Sequence, residues 1–141
     1  VMNILPSSRY LLSTVLLSIL FISQACTQVP NVMEDLSVEA FASSMDGKTE
    51  AILLDVRTPG EWEEGFIKGA TFMNFHDDAF SSQLETLDKS KPVYVYCKGG
   101  GRSGKTAKML HEMGFSEVYN LLGGITAWKE VKGEAALQKP E

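Results

Sequence analysis

The chain has 141 residues, 44% of them hydrophobic and 22% charged, with a formal net charge of −5. That length suits one domain. The acidic balance argues against a nucleic-acid binder, which needs a basic surface, and with only Cys26 and Cys97 the chain is not a disulfide-dense scaffold.

The first element is a leader. Arg9 precedes an apolar run from Tyr10 to Ile22, and Ser23-Gln24-Ala25 follows it. A positive start, an apolar stretch and small residues at a cut site predict a secretory signal peptide over residues 1–25. The run is shorter than the about 20 residues of a membrane-spanning helix. Ala25-Cys26 resembles a bacterial lipobox, from which Ser23 and Gln24 depart. The expectation is that Cys26 is lipidated and holds the chain on the periplasmic face of a bacterial membrane. Plain cleavage after Ala25 is the alternative. It gives a soluble periplasmic protein in which a Cys26–Cys97 bridge becomes available. One acyl chain anchors weakly, so firm attachment takes more than one.

Residues 26–34 are expected to be a tether, although Val32–Leu36 has the makings of a brief strand. Ser37 is a candidate N-cap for a helix over Val38–Met45 that ends near Gly47. Ala51–Val56 is an apolar run followed by Thr58-Pro59-Gly60, the pattern of a strand buried on both faces of a parallel sheet. Glu61–Glu64 reads as one helical turn stopped by Gly65. A strand over Ala70–Phe75, a helix over Ala79–Leu87 and a strand over Val93–Tyr96 follow. A helix beginning near Ser103 places Ala107, Leu110 and Met113 towards the core, with Gly114 as its stop. A strand over Glu117–Leu121 and a helix over Ile125–Val131 complete the alternation. Residues 132–141 are polar and read as a flexible tail. Strands alternating with helices predict an α/β fold with a mostly parallel sheet, in which ligands bind at the carboxyl ends of strands.

Cys97 and Arg57 fall at two such ends. Cys97 is followed by Lys98, Gly99, Gly100, Gly101, Arg102 and Ser103. Three glycines between a strand and a helix let the backbone curl so that several amides point inward, forming a nest for an anion. A thiolate is such an anion, so the setting predicts a lowered thiol pKa and a nucleophilic sulfur. Arg102 adds a fixed positive charge, and Ser103 offers a hydroxyl to the sulfur or to the helix start. Asp55 is expected either to orient loop groups from beneath or to close a turn. Arg57 is expected to recruit anions or, preferably, to pair with Glu61. Trp62 and Trp128 read as core or rim aromatics. His76 and His111 lie far apart and form no metal-ligand cluster, and no cofactor is expected.

Five separated blocks, Leu54-Asp55-Val56-Arg57, Glu61-Trp62, Gly65 to Ala70, Cys97-x-x-Gly100-x-Arg102-Ser103 and Gly123-Gly124 with Trp128, together resemble the rhodanese family across roughly residues 35–131. Phe66 departs from the pattern, which usually has His there. The resemblance implies a rhodanese-like domain with a five-stranded parallel sheet flanked by helices on both faces. It also implies sulfur transfer through a persulfide on Cys97, cradled by Lys98 to Ser103. The donor would be a small anion such as thiosulfate, and the acceptor a thiol, cyanide or protein. Three other readings compete. Rhodanese-like phosphatases use a longer Cys-to-Arg loop than the four residues here, and the smaller ring suits sulfur better than phosphate. Gly99 to Thr106 fits the P-loop pattern literally, but the acidic strand at Asp55 precedes it. A non-catalytic interaction module is the third.

Overall fold

Strand β5 (Val93–Tyr96) dictates the architecture. All four residues are fully buried, which a strand achieves only in the middle of a sheet covered on both sides. In this computed structural model, which describes residues 31–140, β5 is the centre of a five-stranded sheet. The other strands are β1 (Val32–Leu36), β2 (Ile52–Asp55), β4 (Thr71–Phe72) and β6 (Glu117–Leu121), in the order β1-β6-β5-β2-β4. Every pairing within it is parallel.

The period-two alternation of β5 sorts the core into two layers. Val93, Val95 and then Cys97 point to one face, where they meet Phe80 and Leu84 of α3 (Phe80–Glu85) and Ala107 and Leu110 of α4 (Gly101–Glu112). Tyr94 and Tyr96 point to the other face. They meet Phe41 of α1 (Val38–Met45) and Ile125 and Trp128 of α5 (Gly124–Lys132). Each fully buried Val, Leu or Phe adds about 1.5–3 kcal/mol of transfer free energy, so both layers are firmly specified. Ser37 caps α1, accepting the Ala40 amide at 3.3 Å.

Several expectations are revised. The expected strand over Ala70–Phe75 shortens to Thr71–Phe72; past it, the Met73 and Phe75 amides donate to the carbonyls of Asp55 and Val56 outside regular ladder geometry. Helix α4 starts at Gly101 rather than near Ser103. The turn expected at Glu61–Glu64 is α2 (Pro59–Trp62). The tail is not frayed throughout: a 3₁₀ turn (Glu134–Ala136) leads into β7 (Leu137–Gln138), which pairs antiparallel with β3 (Phe66–Ile67). Leu137 joins the α1/α5 layer of the core, which is why that segment is held. The fold therefore runs past both ends of the expected 35–131 unit. The expectations for the leader over residues 1–25 and for Cys26 fall outside the described residues. No helix among the described residues is long and apolar enough to cross a membrane.

Candidate active site

Cys97 follows the last residue of β5 and is 1% exposed. The chain then turns sharply into α4, and Gly100, at φ +98°, is the residue that makes the turn. An L side chain is strained at that angle. The turn aims the Gly100 amide at Cys97 Sγ, 3.1 Å away. The Ser103 hydroxyl lies 3.4 Å from the same sulfur and 3.1 Å from the Gly100 carbonyl oxygen. With one proton it donates to only one of them at a time. Burial pushes the thiol pKa up, but the Ser103 hydroxyl and the amides of Ser103, Gly100 and Gly99 outweigh it, and the net direction is down. The nest expected from the glycines thus converges on the chain's own sulfur. Lys98, Gly99 and Gly101 are exposed at its rim, and Ser103 is buried.

The loop's carbonyls are held from the other side. The amide at the start of α5, Ile125, donates to Cys97 O at 2.8 Å, and the Thr126 amide and hydroxyl both donate to Lys98 O, at 3.2 and 3.0 Å. With its carbonyls turned towards α5, the loop leaves its amides free to face the sulfur. This close approach needs Gly124. A Cβ built there, at φ +59°, would lie 2.4 Å from Cys97 O and 2.6 Å from Lys98 O. The Gly123-Gly124 pair was visible in the sequence, but not its role as the pin behind the cysteine loop.

Arg102 is positioned by a residue from a distant segment. Its guanidinium forms a two-pronged pair with Glu61, at 2.7 and 2.8 Å. Glu61 also accepts from the Thr58 amide and hydroxyl, at 3.0 and 2.9 Å, where Thr58 caps α2. The hydrogen bond from Arg102 leads the causes that lower the Glu61 carboxyl to about 2. Arg102 in turn is shifted upward, first by Glu61 and then, more weakly, by Cys97. The Thr58-x-x-Glu61 spacing is a capping-box signature legible in the sequence; the Glu61–Arg102 contact is not.

Arg57 departs from both of its expected roles, whereas Asp55 takes the turn-closing one, accepting the Arg57 amide two residues on at 3.0 Å. Arg57 is 2% exposed and does not pair with the Glu61 carboxylate. It forks onto Asp55, with its closest contact at 2.6 Å, and donates to the backbone carbonyls of Glu61 (3.0 Å) and Gly65 (2.8 Å). Asp55, fully buried, spends its carboxylate on Arg57 and the Arg57 amide rather than on loop groups. Removing either partner would leave an uncompensated buried charge. The two form a brace that fixes α2, and through Glu61 they fix Arg102. Recruitment of anions by Arg57 is overturned, because no part of its guanidinium is left to reach solvent. Phe66 joins an aromatic cluster: its ring meets Phe72 edge-on at 4.9 Å, and Phe72 in turn lies 4.9 Å from Trp62. Trp128 is a core residue at 7% exposure.

The P-loop reading fails on geometry. Thr106, which would face a magnesium ion, is buried and donates to Arg102 O at 2.9 Å, and the Gly100 amide is spent on sulfur.

Comparison with known proteins agrees with this frame. The rhodanese-like domain family matches residues 37–131, and the chain belongs to that family. The protein YqhL of Bacillus subtilis is 38% identical over 97 residues, covering 69% of this chain and 73% of that one. A thiosulfate sulfurtransferase, GlpE of Coxiella burnetii, is 39% identical over 82 residues, covering 58% of this chain and 75% of that one. The crystal structure of a rhodanese-like domain protein from Staphylococcus aureus superposes with a TM-score of 0.65 at 26% identity, over 77% of this chain and all of that one.

Proposed function

We propose that the protein is a sulfurtransferase in which the Cys97 thiolate attacks the outer sulfur of a small anionic donor such as thiosulfate. The donor's S–S bond breaks and its electron pair leaves on sulfite, while a new S–S bond forms on Cys97. A nucleophilic acceptor, whether a thiol, cyanide or a protein cysteine, then takes the outer sulfur and Cys97 departs as the thiolate. Neither step needs an external oxidant or reductant. The protein's task is to stabilise an anionic sulfur before and after transfer, by preorganised donors aimed at the charge. The observation that carries this reading is the convergence of the Gly100 amide and the Ser103 hydroxyl on Sγ at the end of a parallel strand. Arg102, held in place by Glu61, supplies the nearby positive charge that suits an anionic donor. Cys97 as a residue is 1% exposed, so a donor approaches its sulfur across the exposed rim of the loop.

The test is mass spectrometry of the protein after incubation with thiosulfate. One added sulfur, about 32 Da, is expected on the Cys97 peptide and is absent in Cys97→Ser. Ready alkylation of Cys97 with no sulfur adduct would refute the transfer step. The leader pattern in the sequence supports export with an acyl-modified Cys26, and the same spectrum of protein extracted from bacterial membranes tests that: an unmodified Cys26 thiol would rule it out.

A further inference from the structure

The cysteine loop has a second side. Behind the backbone of Gly99 to Gly101, a groove of about 530 Å³ opens between the first turns of α4, the end of β6 and the edge strand β1. Four large apolar side chains stand exposed among the described residues, and two of them, Met33 (46%) and Leu122 (49%), line this groove. Isolated exposed apolar residues need no explanation, but two sharing one concave surface beside a reactive loop do. Lys105 and Lys108 stand exposed on the α4 wall. Lys108 has only a loose contact with Glu112, at 3.9 Å with both groups largely in water, which screening leaves nearly worthless. Asp35 on the opposite wall accepts from the Asn120 amide at 2.8 Å. The other amide atom, Asn120 Oδ1, is buried without a hydrogen-bond partner. The chain carries −5 overall, so two exposed lysines beside two exposed apolar side chains form a local surface of opposite character.

We propose that this groove docks an acidic polypeptide segment carrying an exposed aliphatic residue, and that this segment belongs to the protein exchanging sulfur with Cys97. The inference rests on the sulfur-transfer reading for its purpose. The docking itself stands on the groove. Charge complementarity selects the partner: its carboxylates meet Lys105 and Lys108, and its aliphatic side chain covers Met33 and Leu122. A small donor such as thiosulfate would leave the apolar wall bare. The groove backs onto the glycines that hold the sulfur, so a docked segment also buttresses the loop while transfer occurs.

The experiment uses synthetic peptides in which a docking segment is joined to a terminal cysteine by a flexible Gly-Ser spacer long enough to pass round the loop: the segment is Asp-Leu-Asp-Leu-Glu, its Asp-Gly-Asp-Gly-Glu counterpart or Lys-Leu-Lys-Leu-Lys. Sulfur transfer from persulfidated protein is measured for each. A fluorescent version of the first, with serine for cysteine, reports binding by anisotropy whether or not turnover occurs. The expected kcat/KM for the acidic leucine peptide is about ten-fold above that for its glycine counterpart, in line with a docked aliphatic contact. Leu122→Ser should erase that advantage and weaken binding of the serine peptide, while thiosulfate-to-cyanide turnover stays as in the wild type. The double change Lys105→Glu and Lys108→Glu should invert the preference between the acidic and basic peptides, most clearly at low salt. Equal rates for the leucine and glycine peptides, or an advantage that survives Leu122→Ser, would overturn the proposal. So would a concentration-dependent dimer in sedimentation that Leu122→Ser dissolves, because the groove would then belong to a second copy. Lost thiosulfate turnover with peptide binding intact would instead strike the sulfur-transfer reading alone.

Discussion

Replacing Glu61 by Gln removes one charge from the Arg102 brace and keeps its shape. The Glu61 carboxyl is lowered from 4.5 to about 2, and its side chain is 17% exposed, so little of the effect is lost to solvent. At 1.36 kcal/mol per pH unit, that corresponds to about 3 kcal/mol favouring the ionised folded state. A carboxyl lowered on folding stabilises the protein above its unfolded value, and the stabilisation fades as pH falls through the folded one. The contribution is therefore full at pH 7, about half gone by pH 3 and nearly absent at pH 2. Glutamine still accepts hydrogen bonds from Arg102 and Thr58, so Glu61→Gln is expected to cost about 1–3 kcal/mol at neutral pH. Urea unfolding of both proteins at pH 7, 5, 4 and 3 measures the difference between them, which should shrink steadily below pH 5. Sulfur transfer should fall with it, because a loosened Arg102 no longer sits over the loop. A stability gap that is the same at pH 3 and pH 7 would refute the assignment of this charge pair.

Gly124→Ala places a methyl 2.4 Å from Cys97 O at a positive φ. The backbone conformation alone costs about 1–2 kcal/mol, and the strained bonds from Ile125 and Thr126 add about 1 kcal/mol each. Calorimetry should show the melting temperature falling by about 10 °C or more, and an unshifted transition would show that the contact yields without strain. Ser103→Ala removes one of the groups that lower the Cys97 pKa. The thiolate is the form that alkylates, so the iodoacetamide rate profile should move to higher pH, and a superimposable profile would remove the hydroxyl from the sulfur's support.

The cysteine loop was legible because its logic is local. Cys97, three glycines, Arg102 and Ser103 lie within seven consecutive positions, between a strand and a helix that their own apolar periods declare. Backbone curl, amide direction and helix start all follow from that short stretch. The parallel α/β class was legible for the same reason, since the β2 and β5 segments, with Asp55 their one charged residue, have no solvent-facing alternation. The charges around the loop were a different matter. Arg57 has two carboxylates within four residues, and the sequence points to Glu61 as readily as to Asp55. Only the packed sheet, which buries Asp55 completely, forces the choice, because a buried carboxylate must be paired. Once Arg57 is committed there, Glu61 is free to reach Arg102 across 41 positions of chain. The pin from α5 and the seat for β7 are likewise long-range contacts. Local propensity decides where chain elements begin and end; which charge meets which is decided by burial, and burial exists only after the layers have closed.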